Sequence, residues 1–135
     1  MKAVLLTNHG GPEMLRCGEA PDPIPGPGEV VVDIHAASVN AADYKVRLGS
    51  SRSNLRFPHI LGRDFSGVVG EVGPGVTDIH PGETRLILRC DVGVNRPGTL
   101  AQQVAVDAAY TAPVPQGWSL PQAAAAPLVY LTAWQ

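Results

Sequence analysis

The sequence predicts a mainly β domain that passes into a helical segment at its end, and three observations predict it. Glycine and proline are frequent, 15 and 13 among 135 residues, while aromatic residues reach only 5%. That balance favours many turns and short elements. Short apolar runs rich in β-branched residues recur, the longest being Glu29 to Asn40, EVVVDIHAASVN. After Pro121 the texture turns Ala-rich, QAAAAPLVYLTAWQ, which favours helix.

Lys2 to Thr7 reads as a short strand and Asn8-His9-Gly10-Gly11-Pro12 as its turn, with Met14 to Glu19 able to pair back. Pro21, Pro23, Pro25 and Pro27 follow, with Gly26 and Gly28. Prolines at alternate positions remove backbone donors and fix φ, so this stretch is a stiff extended connector. In the long run, Val30, Val32, Ile34 and Ala36 share one face, and Val31, Asp33 and His35 the other. Ala41 to Leu48 suits a short helix, capped by Asn40 or Asp43 and stopped by Gly49. Residues 49–59 are polar and Ser/Arg-rich, hence a surface loop. Phe65 to Val72 is strand-like and ends at Gly73-Pro74-Gly75; Thr84 to Cys90, Leu100 to Val106 and Tyr110 to Val114 are further short strands. Leu128 to Gln135 is an apolar helix just getting under way, as in a chain that continues into another domain.

A net charge of −2, from 10 basic and 12 acidic residues, argues against a general nucleic-acid binder. Apolar residues reach 44%, enough for a sizeable core. The start MKAVLL carries no signal peptide, and no apolar stretch approaches the roughly 18 residues of a membrane span. A cytoplasmic protein is expected, with Cys17 and Cys90 as small core hydrophobes. No C-x-x-C pair exists, and His9, His35, His59 and His80 show no ligand spacing, so a zinc site from local motifs is not expected.

Gly62, Gly67, Gly70, Gly73 and Gly75 fit neither the dinucleotide fingerprint nor a P-loop. They read as structural, with Gly67 and Gly70 allowing a strand to bend or to approach another backbone. Lys45, Arg47, Arg52, Arg56 and Arg63 form a basic stretch without an interrupting acid, flanked by Asp43 and Asp64. It reads as a solvated loop, or as a patch for an anionic ligand such as phosphate. Asn40 ends a strand, where binding sites are often built, but pattern alone favours a helix cap.

SVNAADYKVRLG, FPHILGRDFSGVVGEVGPGV, HPGE, GTLAQQVAV and PQAAAAPLVYLTAWQ closely resemble, in order, the medium-chain dehydrogenase/reductase superfamily, and within it the zinc-independent quinone-oxidoreductase branch. The resemblance implies a GroES-like twisted β-barrel with short helices and a C-terminal helical segment. It implies residues 1–127 as the GroES-like catalytic domain. Residues 128–135 would begin the helix that leads to a Rossmann domain, absent from this chain, where relatives bind NADPH.

Zinc-dependent relatives carry Cys where this chain has Asn40, and Gly-His-Glu where it has Gly62-Arg63-Asp64. They also carry four cysteines after the turn that matches Pro81-Gly82-Glu83, where only Cys90 is found here. Neither Asn nor Arg replaces a thiolate or an imidazole on Zn²⁺, so no zinc is implied. In the resemblance, Asn40 lines the nicotinamide and substrate cleft. Lys45 is a candidate donor or phosphate contact, Thr132 packs near the nicotinamide, and Asp43, Gly62 and Asp64 support the site. Reduction by such a site needs a hydride and a group that polarises the substrate carbonyl or protonates the product anion.

Two departures stand out. Arg85 falls at an inward strand position, where an unpaired guanidinium would be costly. Tyr130 replaces a small residue before Leu131. The implied function is the substrate-side domain of an NADPH-dependent, zinc-independent quinone or enone oxidoreductase acting on a small carbonyl or quinone. The cofactor domain would come in continuation or from another chain, the chain alone would bind no NADPH, and it could associate with itself. The alternatives are a non-catalytic remnant or scaffold of the fold, and a binding module using the basic loop 45–63.

Overall fold

The computed structural model describes residues 1–50, 55–88 and 91–135. In chain order its strands are β1 (Lys2–Leu6), β2 (Leu15–Glu19), β3 (Glu29–Ser38), β4 (His59–Ile60), β5 (Asp64–Val72), β6 (Thr84–Ile87), β7 (Gln103–Asp107) and β8 (Thr111–Pro113). Its α-helices are α1 (Ala41–Arg47), α2 (Leu120–Ala125) and α3 (Pro127–Trp134). Two antiparallel sheets result, ordered β2-β1-β4 and β7-β3-β5-β6-β8. Residues 100–102 join them: Val4 N–H donates to the Leu100 carbonyl at 2.8 Å and Gln102 N–H to the Lys2 carbonyl at 3.0 Å. The fold is mainly β with short helices, as the sequence predicts, although the sheets do not close into a barrel among the described residues.

The main core gathers Val30, Val32, Phe65, Val69, Ile87, Val104 and Val106 from the larger sheet, sealed by Ile79 and Val92 from loops. A smaller cluster of Leu6, Val46 and Leu61 holds α1 against β1. At its start β3 is covered on both faces, since Val31 is buried along with Val30 and Val32. Ile34 and Ala36 are only half-buried, because β3 carries an irregularity between them and β7 stops pairing at Asp33. Gly67 stands where β5 passes so close to β3 that a Cβ would overlap the Asp33 carbonyl.

Several expectations need correction. Cys17 is exposed rather than in the core, because β2 is a sheet edge where Arg16 and Cys17 both face solvent. Cys90 and Arg52 lie outside the described residues, as does the end of the strand expected over Thr84 to Cys90. The loop expected over 49–59 ends earlier, since His59 is buried in β4. Residues 100–102 pair with β1 ahead of β7. Arg85 does point inward, but it is paired: Nη1 reaches Glu83 at 3.3 Å and the rest of the head meets Thr111.

Candidate functional site

The end of β3, the first turn of α1, the start of β5 and the first turn of α3 meet at one carboxylate. Ser38 and Asp64 are register partners across β3 and β5. Asp64 is buried, and its Oδ2 accepts from Ser38 Oγ at 3.1 Å, from Asn40 Nδ2 at 3.0 Å and from Leu128 N–H at 3.3 Å. Leu128 sits at the start of α3, where amide groups have no partner within the helix. Asp64 thus fixes the entry of α3 from a strand far away in sequence.

Asn40 is the N-cap residue of α1 and forms a capping box with Asp43. The tighter half is Asn40 N–H donating to Asp43 Oδ2 at 2.7 Å. The Asn40 amide nitrogen is turned the other way, towards Asp64 and towards Ser38 Oγ at 3.2 Å. Asp43 is buried, with Oδ1 shielded and unpartnered. Burial pushes its carboxyl pKa up, against the lowering effect of its backbone hydrogen bonds, and the nearby Asp64 charge adds to the rise.

Gly62 holds the next layer. Its φ is +100°, and a Cβ there would overlap Thr99 Oγ1. That closeness lets Thr99 N–H donate to the Gly62 carbonyl at 3.1 Å and Thr99 Oγ1 donate to the Asp64 carbonyl at 2.9 Å. In front of Asp64 lies a cleft of about 270 Å³ lined by Arg63, Asp64, Leu88, Leu128, Leu131, Thr132 and Gln135.

Asn40, Asp43, Gly62 and Asp64 are therefore brought together, but of these only Asp64 lines the cleft, together with Thr132; Asn40, expected to line it, stands behind Asp64 in the hydrogen-bonded cluster. Lys45 is exposed on α1, outside the hydrogen-bonded cluster. Among the described residues the basic stretch is divided between separate surroundings. Arg56 borders a separate groove that β4 also lines, Arg63 lines the cleft, and Arg47 is half-buried. Sequence reasoning missed Ser38, although it ends β3 two residues before Asn40, which is still extended, so that both side chains fall on one side. It also missed Thr99 and the Leu128 amide. Among the described residues, no group of three or more His, Cys, Asp or Glu is arranged to hold a metal.

Residues 26–116 match the alcohol dehydrogenase GroES-like domain. An NAD-dependent alcohol dehydrogenase of known structure superposes with a TM-score of 0.94 at 41% identity, covering 100% of this chain and 46% of its own. The quinone oxidoreductase from Coxiella burnetii gives 0.92 at 32%, covering 100% and 43%. A trans-enoyl reductase of Aspergillus flavipes is 33% identical over 141 residues, 98% of this chain and 39% of the reductase. This chain thus spans less than half the length of each of these relatives.

Proposed function

The chain belongs to the alcohol dehydrogenase GroES-like domain family of the medium-chain dehydrogenase/reductase superfamily, and from that premise we propose that it is the substrate-side domain of an NADPH-dependent, zinc-independent quinone or enone oxidoreductase. Residues 1–127 make up this domain, and residues 128–135 lead towards a cofactor domain.

The observation that carries the reading is the Asp64 hub. Where a zinc-dependent relative would place thiolate, imidazole and carboxylate, this chain has an amide, a guanidinium and a carboxylate whose Oδ2 already accepts three donors. That donor set does not fit zinc, which needs deprotonated thiolate or neutral imidazole nitrogen. The cleft in front of it has the size for one flat ring, and its lining mixes the apolar Leu128 and Leu131 with the polar Thr132 and Arg63. These residues fit the nicotinamide end of the cofactor, which supplies a hydride when bound. Nothing in this chain offers the Gly-rich strand-to-helix turn that a pyrophosphate needs. The chain's own part is to hold the ring edge, to exclude water with Leu128 and Leu131, and to seat the substrate beside it. Lys45 is the candidate proton donor by resemblance alone, since it is exposed on α1 and does not line the cleft. The names of the matched quinone oxidoreductase and trans-enoyl reductase support an electron-poor carbonyl or conjugated alkene as substrate.

The test is a chimera in which residues 1–135 replace the matching segment of the Coxiella quinone oxidoreductase. NADPH-dependent reduction of a quinone or an enone is expected. A chimera that folds and binds NADPH but reduces neither would overturn the reading.

A further inference from the structure

We infer that Asp64 Oδ2 is a contested acceptor. The end of β3 and the cap of α1 hold it from one side and α3, a wall of the cleft, from the other, so that loosening the first grip tightens the second. This goes beyond the proposed function and does not depend on what the cleft binds.

An ionised carboxylate only accepts, and each of its oxygens offers about two lone-pair sites. Three donors converge on Oδ2: Asn40 Nδ2 at 3.0 Å, Ser38 Oγ at 3.1 Å and the Leu128 amide at 3.3 Å. A charge-assisted bond to a carboxylate runs to about 2.5–2.9 Å, so all three are longer than usual. Sharing one oxygen gives the reason, since each donor approaches only as far as the other two leave room. The Leu128 bond is the longest of the three. It is therefore the first to yield and has the most to gain when a competitor leaves.

The helix on the other side is placed to respond. α3 follows α2 without a loop, since Ala126 closes one helix and opens the other. Pro127 brings no N–H to that junction, and a proline is where a helix bends. Pro127 is also the one buried residue of α3. Leu128, Leu131, Thr132 and Gln135 line the cleft, at the spacing of a single helix face. That face borders the cleft rather than the core, and the Leu128 amide ties the first turn to β5. When Ser38 or Asn40 lets go, Oδ2 has a lone pair to return to Leu128, and the start of α3 is held harder against β5. The converse follows by reciprocity. Asp64 is the positioning residue, and through it the strand end and the cleft wall alternate in firmness instead of stiffening together.

The test follows amide hydrogen exchange in the full chain, labelled with ¹⁵N. In Ser38→Ala and in Asn40→Ala the Leu128 amide is expected to exchange about threefold more slowly than in the unaltered chain, a fraction of the worth of one hydrogen bond. In Asp64→Asn, which keeps the shape and removes the charge, it is expected to exchange about tenfold faster. A cluster that is merely structural gives one sign throughout, faster exchange at Leu128 in all three variants. Ser38→Ala deletes a single hydroxyl, and it decides alone if loss of the helix cap in Asn40→Ala unfolds the chain. The amides of Val32 and Val69, in the main core, report whether it has. Slower exchange at Leu128 in Ser38→Ala together with faster exchange in Asp64→Asn supports the inference. Faster or unchanged exchange in Ser38→Ala overturns it. So does unchanged or slower exchange in Asp64→Asn, because Leu128 would then not depend on the carboxylate.

Discussion

Arg85 and Thr111 are joined twice across β6 and β8, by Arg85 Nε to Thr111 Oγ1 at 3.0 Å and by Arg85 Nη2 to the Thr111 carbonyl at 3.2 Å. Both residues are buried, so the guanidinium depends on these partners and on Glu83. Thr111→Val removes one acceptor from a charge that cannot reach water, and is expected to lower stability by about 1–3 kcal/mol. Arg85→Met removes the charge and keeps much of the apolar stem, and is expected to cost less than Thr111→Val. Urea unfolding midpoints of the two variants check the order; a neutral Thr111→Val would contradict it.

Gly62→Ala forces a side chain onto a φ of +100° and into Thr99 Oγ1 and the Leu100 amide. A loss of about 1–3 kcal/mol is expected from strain and crowding together. Adding Thr99→Ala relieves the hydroxyl contact but not the φ strain, so thermal melting is expected to recover only in part. Full recovery would show that backbone conformation plays no role there.

His59 is buried in β4, with Nε2 shielded and unpartnered. Burial lowers its pKa below the ordinary value of 6.5, partly offset by a hydrogen bond to the Gly93 backbone. In the window below 6.5 the unfolded chain binds the proton and the folded chain resists it. Stability therefore falls as pH drops through that window, by at most about 1.4 kcal/mol per pH unit for one proton. His59→Leu is expected to flatten this acid limb in denaturant titrations run from neutral pH downward. An unchanged limb would assign it to other groups.

How much of this was legible in the sequence depended on the range of each signal. β3 and β5 could be read because alternating or continuous Val runs are local. β4 could not, since two residues, His59 and Ile60, have no period. Arg85 was recognisable as inward-facing, but its partner lies 26 residues on and depends on the β6–β8 register. At the site, Asn40 and Asp43 were legible by pattern as helix-capping residues, but their grouping with Asp64 was legible only through resemblance. The third donor on Asp64 is the backbone amide of Leu128, which leaves no mark on residue identity. Cys17 was misplaced because composition cannot tell an edge strand from a central one.

Residues 108–135 hold no charged side chain, and α3 exposes Val129, Tyr130 at 66% and Trp134 at 90%. Tyr130 and Trp134, four apart, share a face. An uncovered apolar face of this kind favours association. Tyr130→Ser with Trp134→Ser is expected to raise solubility without lowering the melting temperature. A chain that stays monomeric at high concentration without these changes would count against the idea.

Titration of NADPH into the isolated chain is expected to give a dissociation constant weaker than micromolar, because its sequence carries no Gly-rich strand-to-helix fingerprint for the pyrophosphate. Micromolar binding would mean that the cleft beside Asp64 holds more of the cofactor than one ring.

β3 is stitched along both edges from Val30 to Asp33, by β5 and β7, but along one edge only from Ala36 to Ser38. Such a strand unzips from its less-stitched end, where local opening takes far less free energy than unfolding the whole sheet. That end carries Ser38 and leads into Asn40. The strand end that holds Asp64 beside the cleft is thus expected to open before the core does. A ligand seated there would close the strand as it binds, and its affinity would include the free energy of holding those last residues shut.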